Sequence, residues 1–307
     1  MNKKTRRYRI RNWPHYITAL INRGSLTLWL DQASIAHWLN ARPPAGRGRP
    51  RTYADAAITC ALLTREAYHL PLRQTQGLIR SLFELLSIDL PVPHYSTLCR
   101  RARNLKVKLH ARSKGPLHLL IDSSGLKVYG EGEWYTRFRK QFKRRTWRKL
   151  HIAVDHLSGM IVSGVGSHKD LLDRFAVADL LDHVPSPVAA VYADGAYDYK
   201  VCYKAIYERG GEAVIPPKRR GVLHEQEWMA GRNRNIKRMR RLGLEKWKQK
   251  SGYHKRSLVE TAFHRLKKVF SDRLRSKRTD AQDAEMMIRC EALNRMTILG
   301  MPDSYAV

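Results

Sequence analysis

Acidic residues are scarce in this sequence: 27 Asp and Glu stand against 58 Lys and Arg in 307 residues, a formal net charge of +31. That imbalance argues against an ordinary metabolic enzyme and for a polyanionic partner. Cysteine is scarce too. Cys60, Cys99, Cys202 and Cys290 lie far apart with no C-x-x-C pair, which excludes a disulfide framework or a zinc finger and implies a reducing compartment. Long apolar runs are missing, since no segment approaches the roughly 20 residues of a membrane helix. The apolar stretch behind the basic N-terminus is cut by Arg23 before a signal-peptide core can form. We therefore expect a soluble, cytoplasmic, nucleoid-associated protein with no membrane partner. At 43% hydrophobic the chain still has the material for a sizeable core.

The positive charge comes in blocks. Residues 1–116 hold 21 basic and 5 acidic groups, residues 127–150 hold 9 and 2, and residues 218–278 hold 21 and 5. Between them, residues 155–212 hold 5 basic and 9 acidic groups. Solvated charged faces could produce some of this, but three cationic segments around an acidic middle suit surfaces laid along a nucleic acid.

Aromatic anchors at Trp13, Tyr16, Trp29 and Trp38 occupy short amphipathic stretches that end at Arg42-Pro43-Pro44. The string GRGRPR at 46–51 follows, where Gly and Pro keep the backbone narrow between Arg47 and Arg49. That chemistry suits an arm lying in an AT-rich minor groove, and equally a basic linker. Residues 53–69, 71–86 and 95–108 have apolar positions three and four apart, with breaks at Pro71, Pro91 and Pro93 and an N-cap expected at Ser96. The third helix carries Arg100 and Arg101, so 53–108 reads as a helix-turn-helix-like reader or as a helical bundle with a basic face. After Pro116 the pattern changes to short β-branched runs at 117–122, 147–155, 161–167, 188–194 and 212–217, with helix-like stretches at 170–183, 198–209 and 254–270. The expected architecture is a helical domain at 1–115 and an α/β (α+β) domain at 116–307 with helices packed on a sheet.

Two of the apolar runs stop at an acid, Asp122 in LLIDSSG and Asp194 in VYADGAYD. Strand ends hold side chains firmly while letting them reach the crevice beyond the sheet. The stretch YHKRSLVETAFHRLKKVF at 253–270, read as one helix, gathers Tyr253, Arg256, Glu260 and Lys267 on one face and Leu258, Ala262, Leu266 and Val269 on the other. Arg256 and Glu260 could simply form an i, i+4 surface pair. Taken with the two Asp residues, however, Glu260 completes a set of three carboxylates. Three converging carboxylates repel by about 4 kcal/mol per pair at about 4 Å and an effective dielectric near 20, so they require a cation or protonation. All-oxygen ligands favour Mg²⁺ or Mn²⁺, and two such ions about 4 Å apart suit phosphodiester chemistry. Asp155, which also ends a run, and Asp198 are the alternative acids, while His151 and His264 receive no catalytic assignment.

These residues resemble the DDE transposases of bacterial insertion sequences, within them the insertion-sequence family five group. LLIDSSGLKVYGEGEW at 119–134 and RRTWRKLHIAVD at 144–155 look like the first-Asp segment and the strand after it. ADGAYD at 193–198 is similar to the D-G-x-Y motif, and Y-x2-R-x3-E-x6-K is complete as Tyr253, Arg256, Glu260 and Lys267. The resemblance implies an RNase H-like catalytic domain with a mixed sheet flanked by helices, preceded by a helical DNA-binding domain. It implies Asp122, Asp194 and Glu260 as catalytic metal ligands for two Mg²⁺ or Mn²⁺ ions, and Tyr253, Arg256 and Lys267 as contacts to DNA, joined at the N-terminal side by Arg47, Arg49, Arg100 and Arg101. The implied reaction is cleavage at the element's terminal inverted repeats to free a 3′-OH, then transfer of that end into duplex target DNA by a homodimer. A nuclease or resolvase that only hydrolyses, and a non-catalytic regulator derived from a transposase, are the alternatives.

Overall fold

A computed structural model describes residues 8–40, 51–110, 115–128 and 146–307. The chain divides into two compact units, residues 1–105 with 292–307, and residues 106–291. Arg47 and Arg49 of the expected groove arm lie outside the described residues.

The first unit is helical. Strand β1 (Tyr8–Ile10) is followed by α1 (Trp13–Asn22), α2 (Leu26–Trp29), α3 (Gln32–Ala36), α4 (Asp55–Ala67), α5 (Leu72–Leu85) and α6 (Tyr95–Ala102). The aromatic anchors explain its core: Trp29 and Trp38 are buried, and the Trp38 ring lies 5.0 Å from that of Phe83. Each indole N–H is satisfied, Trp29 donating to the Arg23 carbonyl at 3.1 Å and Trp38 to that of Pro91 at 2.8 Å. Helix α6 stops at Ala102, well short of the expected 108, and its N-cap is His94 rather than Ser96. The His94 ring takes the cap position, accepting from the Ser96 backbone N–H. β1 pairs antiparallel with a strand at Ser304–Ala306, joining residues from opposite ends of the sequence.

The second unit is built on a mixed sheet of β2 (Leu117–Val128), β3 (Trp147–Asp155), β4 (Ile161–His168), β5 (Val188–Tyr192) and β6 (Glu212–Val214), in the order β4-β3-β2-β5-β6. β2, β3 and β4 are antiparallel neighbours, β5 and β6 run parallel to β2, and β7 (Arg273–Leu274) pairs with the far end of β2. Three antiparallel strands followed by two parallel ones make an RNase H-like fold. On one face, Leu119, Ile121, Ala153 and Val191 bury against α7 (Ala176–Asp182) and α8 (Lys200–Glu208). Helices α9 (Ala230–Leu242) and α10 (Leu244–Ser251) then lead to α11 (Ser257–Phe270), which packs on β2 and β3. Helix α12 (Thr279–Leu299) begins over β4, at Gly164 and Gly166. A Cβ on Gly164 would lie 2.6 Å from the end of the Met287 side chain, and one on Gly166 would press on the Asp283 carboxylate and the end of Met286, so each of these side chains would have to shift.

Two expectations are corrected here. β2 does not end at Asp122 but runs on to Val128, held by nine residues of register with β3 that span Leu119↔Asp155 to Lys127↔Trp147. The stretch from 253 is not a single helix: Tyr253–Arg256 is a 3-10 turn, entered through the left-handed Gly252, and α11 begins only at Ser257. Its buried face is Val259, Ala262, Phe263, Leu266 and Phe270, whereas Leu258 is exposed.

Candidate active site

Register brings the two aspartates together. β5 pairs parallel with β2 through Leu120↔Tyr192. Asp122 and Asp194 each stand two residues beyond this pair, and Asp122 feels the charge of Asp194. β5 stops pairing at Tyr192, and Asp194 caps the 3-10 turn Gly195–Tyr197, accepting from the Ala196 N–H at 2.9 Å. The opening at this point of the sheet is therefore made by the end of β5, while β2 continues past it.

Glu260 reaches the same place from the first turn of α11. One guanidinium joins it to β2. Arg256 donates through Nη1 to Asp122 Oδ2 at 3.1 Å and through Nη2 to Glu260 Oε1 in a short contact. Asp122 Oδ1 also accepts from the Ser123 N–H at 2.8 Å. Burial pushes the Asp122 carboxyl above its ordinary range, the charges of Asp194 and Glu260 add to the rise, and the Ser123 N–H and Arg256 oppose it. Burial works against the charge of Arg256, yet Tyr253, Glu260, Asp122 and Asp194 outweigh it and hold the guanidinium protonated more firmly than usual. Asp122, Asp194 and Glu260 thus share one electrostatic environment around one cation. Tyr253 flanks it, with its ring 6.0 Å from the Arg256 carbon and 5.8 Å from the buried Trp247. Lys267 lies seven residues along α11 from Glu260, about two helical turns away and partly exposed.

The donor set suits a hard divalent cation: three carboxylates, one held on a strand and one on a helix, with no thiolate or imidazole among them. Among the described residues no three such side chains already form a cage for an ion. The Arg256 guanidinium bonds both Asp122 and Glu260 and so supplies the positive charge that a divalent ion would otherwise bring. The residues fit the ion in kind, and Arg256 must leave at least one carboxylate for it to bind.

Other candidate residues fall elsewhere. Asp155 is a turn cap, accepting from the backbone and hydroxyl of Ser158. Asp198 is fully buried, taking bonds from Arg232, the Tyr203 hydroxyl and the Lys218 N–H. Burial opposes its charge, but Arg232 and these donors prevail and hold its carboxyl below the usual range. His151 is buried against Ser167 at 2.8 Å, and burial lowers its pKa to about 4. His264 is exposed. In the first unit Arg101 is committed to Asp55 and to the Tyr53 carbonyl, whereas Arg100 is exposed and lines an open basic hollow with Arg51 and Asn104. The sequence reading missed Asp173, which accepts from the Ser123 hydroxyl and from Lys149, both at 2.9 Å, directly behind Asp122. Its only signal was its place in the loop after β4.

A family model described as a transposase DDE domain matches residues 113–295, and another of the same description matches residues 21–131. Among solved structures, the cryo-EM structure of the piggyBac transposase synaptic complex with hairpin DNA is similar at 11% identity, over 96% of this chain and 77% of that one, with a TM-score of 0.38. No helix among the described residues is long and apolar enough to cross a membrane. With the larger match covering more than half of its residues, the chain belongs to the transposase DDE domain family: it is a transposase, a DNA-acting enzyme of a divalent-metal-dependent class.

Proposed function

We propose that this transposase cuts the DNA at the terminal inverted repeats of an insertion sequence, frees a 3′-OH, and joins that end to duplex target DNA. The carrying observation is the meeting of Asp122, Asp194 and Glu260 around Arg256, from a strand interior, a strand-end turn and a helix start. These three carboxylates would hold two Mg²⁺ or Mn²⁺ ions, which when bound supply Lewis-acid activation of the attacking oxygen and stabilisation of the leaving one. Asp122 is fixed by its strand register, and Asp194 by the turn it caps. Glu260 is the most exposed of the bonded pair, with its side chain 54% accessible, which suits a ligand that adjusts as substrate arrives. Arg256, turned outward, grips a DNA phosphate beside Tyr253, and Lys267 holds the strand two turns away. Arg100 of α6 and the arm containing Arg47 and Arg49 contact the repeats as part of a DNA-binding region within residues 1–115. Assignment to the insertion-sequence family five group rests on the full Y-x2-R-x3-E-x6-K spacing, and pairing two element ends calls for a homodimer in the DNA complex.

The test is a cleavage and joining assay on the flanking ends of the encoding element, with and without Mg²⁺. Wild type should yield cut ends and joined products, and Asp122→Asn neither. Cut ends without joining would reduce the protein to a nuclease, and unchanged cutting by Asp122→Asn would remove the assigned site.

A further inference from the structure

Outside the carboxylate site, one surface of the second unit takes no part in the chemistry above. The loop after β4 and the loop after β5 leave the same edge of the sheet, because β4, β2 and β5 all run in one direction. With the segment after β6, which runs parallel to β5 and carries Lys218, they present a ladder of alternating rings and cations. The Arg174 guanidinium lies 4.9 Å from the Phe175 ring centroid and 4.2 Å from that of Tyr199, and the Lys218 ammonium lies 4.0 Å from Tyr199. Both rings face solvent, Phe175 at 50% and Tyr199 at 36% exposure.

The ladder is held from beneath. Asp198 bonds the Lys218 N–H at 2.8 Å and Arg232 from its buried position, fixing Tyr199 and Lys218 on either side of one anchor. The Cys202 thiol donates to the Arg174 carbonyl at 3.7 Å, tying that residue to α8. Asp173, two residues before Phe175, bonds Ser123 next to Asp122, and Tyr199 follows Asp194 by five residues. The platform is therefore built onto the same segments that position the carboxylates. Two of its nearby acids are already matched, Asp173 by Lys149 and Asp198 by Arg232. Lys200, Arg219 and Arg220 add exposed positive charge around it.

Exposed rings flanked by cations bind nucleic acid through base faces and phosphates together. A paired duplex has no free base face to offer, because each base is covered by its neighbours. We infer that Phe175, Tyr199, Arg174 and Lys218 form a stacking platform for unpaired nucleotides of the DNA substrate, next to the point of strand cleavage. This inference rests on the proposed cleavage reaction for its biological setting, but its binding test does not.

That test compares a blunt duplex with the same duplex carrying a short unpaired extension that contains 2-aminopurine. Both are titrated onto full-length protein in EDTA. Wild type should bind the extended duplex about tenfold more tightly, with the 2-aminopurine fluorescence quenched by stacking. The double variant Phe175→Ala, Tyr199→Ala should lose the quench and bind both duplexes at the blunt-duplex level, while Phe175→Tyr with Tyr199→Phe keeps the preference. Lys218→Gln, which leaves both rings in place, should weaken only the extended duplex and flatten its salt dependence. Equal binding of the two duplexes by wild type, or a preference retained by the double alanine variant, overturns the platform. Asp122→Asn should keep the preference, so that a failure of cleavage and a failure of stacking are read separately.

Discussion

Replacing Arg256 by Gln removes the cation that bonds both Asp122 and Glu260, and its consequences can be worked from the geometry. A charge pair at about 4 Å and an effective dielectric near 20 carries about 4 kcal/mol, which would apply to Asp122, whose side chain is 22% accessible. The Glu260 side chain is 54% accessible, so solvent screening reduces its share to about 1 kcal/mol or less. Against this stands the cost of burying the guanidinium itself, so the net loss on removal is about 2 kcal/mol. For a unit of this size that corresponds to a fall in Tm of about 4–8 °C without divalent ions. The same change removes the competitor for the carboxylates, and Mn²⁺ affinity should rise about tenfold, or roughly 1.4 kcal/mol. Thermal unfolding followed across a Mn²⁺ titration, without DNA, reads both effects on one protein. Arg256→Lys should fall between, since an ammonium lacks the fork that spans two carboxylates. An Arg256→Gln protein as stable as wild type without metal, with the same Mn²⁺ dependence, would refute the reasoning.

Three further outcomes follow from the packing and titration. Asp122 carries a raised pKa, so its folded form binds protons more readily than its unfolded form, and its ionisation costs stability as pH rises through that range. Asp122→Asn should therefore abolish cleavage while its Tm relative to wild type improves between acidic and neutral pH. Asp198 is the opposite case: its lowered pKa gives stability that is full above the ordinary value of 3.8 and is lost as pH falls through the folded value. Asp198→Asn leaves Arg232 buried and underpaired, and chemical denaturation at pH 7 should show a loss of about 3 kcal/mol or more that shrinks in acid. Gly166→Ala forces a methyl against Asp283 and Met286, and should cost about 1–3 kcal/mol with a matching drop in Tm.

The strands were legible because their residues are buried on both faces, so the apolar runs at 117–122, 147–155 and 188–194 stand out regardless of context. The extension of β2 to Val128 was not, because SSGLKV reads as a turn until β3 pairs with it. Helix α12 left no periodic trace: in its segment within the second unit Gln282, Glu285, Arg289 and Glu291 are buried, each bonded, with Arg289 reaching Glu285 at 2.6 Å. Ala284, Met286, Ile288 and Cys290 are buried between them, so the helix is covered nearly all round and has no single apolar face for a pattern to reveal. The stretch 218–250 belongs to the third cationic block, where no element is expected before 253, yet it forms α9 and α10, anchored by Trp247 and by Arg232 on Asp198. At the site, Asp122, Asp194 and Glu260 could be named from local motifs. The Arg256 bridge to Asp122 could not, because it spans 134 residues and depends on the register that no local pattern encodes.

The antiparallel pairing of Tyr8–Ile10 with Ser304–Ala306 bears on how the protein is made. Arg295, too, reaches back to Asp31 at 3.0 Å, and the Asn12 side chain to the Met301 carbonyl at 2.9 Å. The helical unit is consequently finished on the ribosome only after every residue of the mixed sheet has been synthesised. A nascent polypeptide that has not yet reached Ser304 carries that unit without its closing strand.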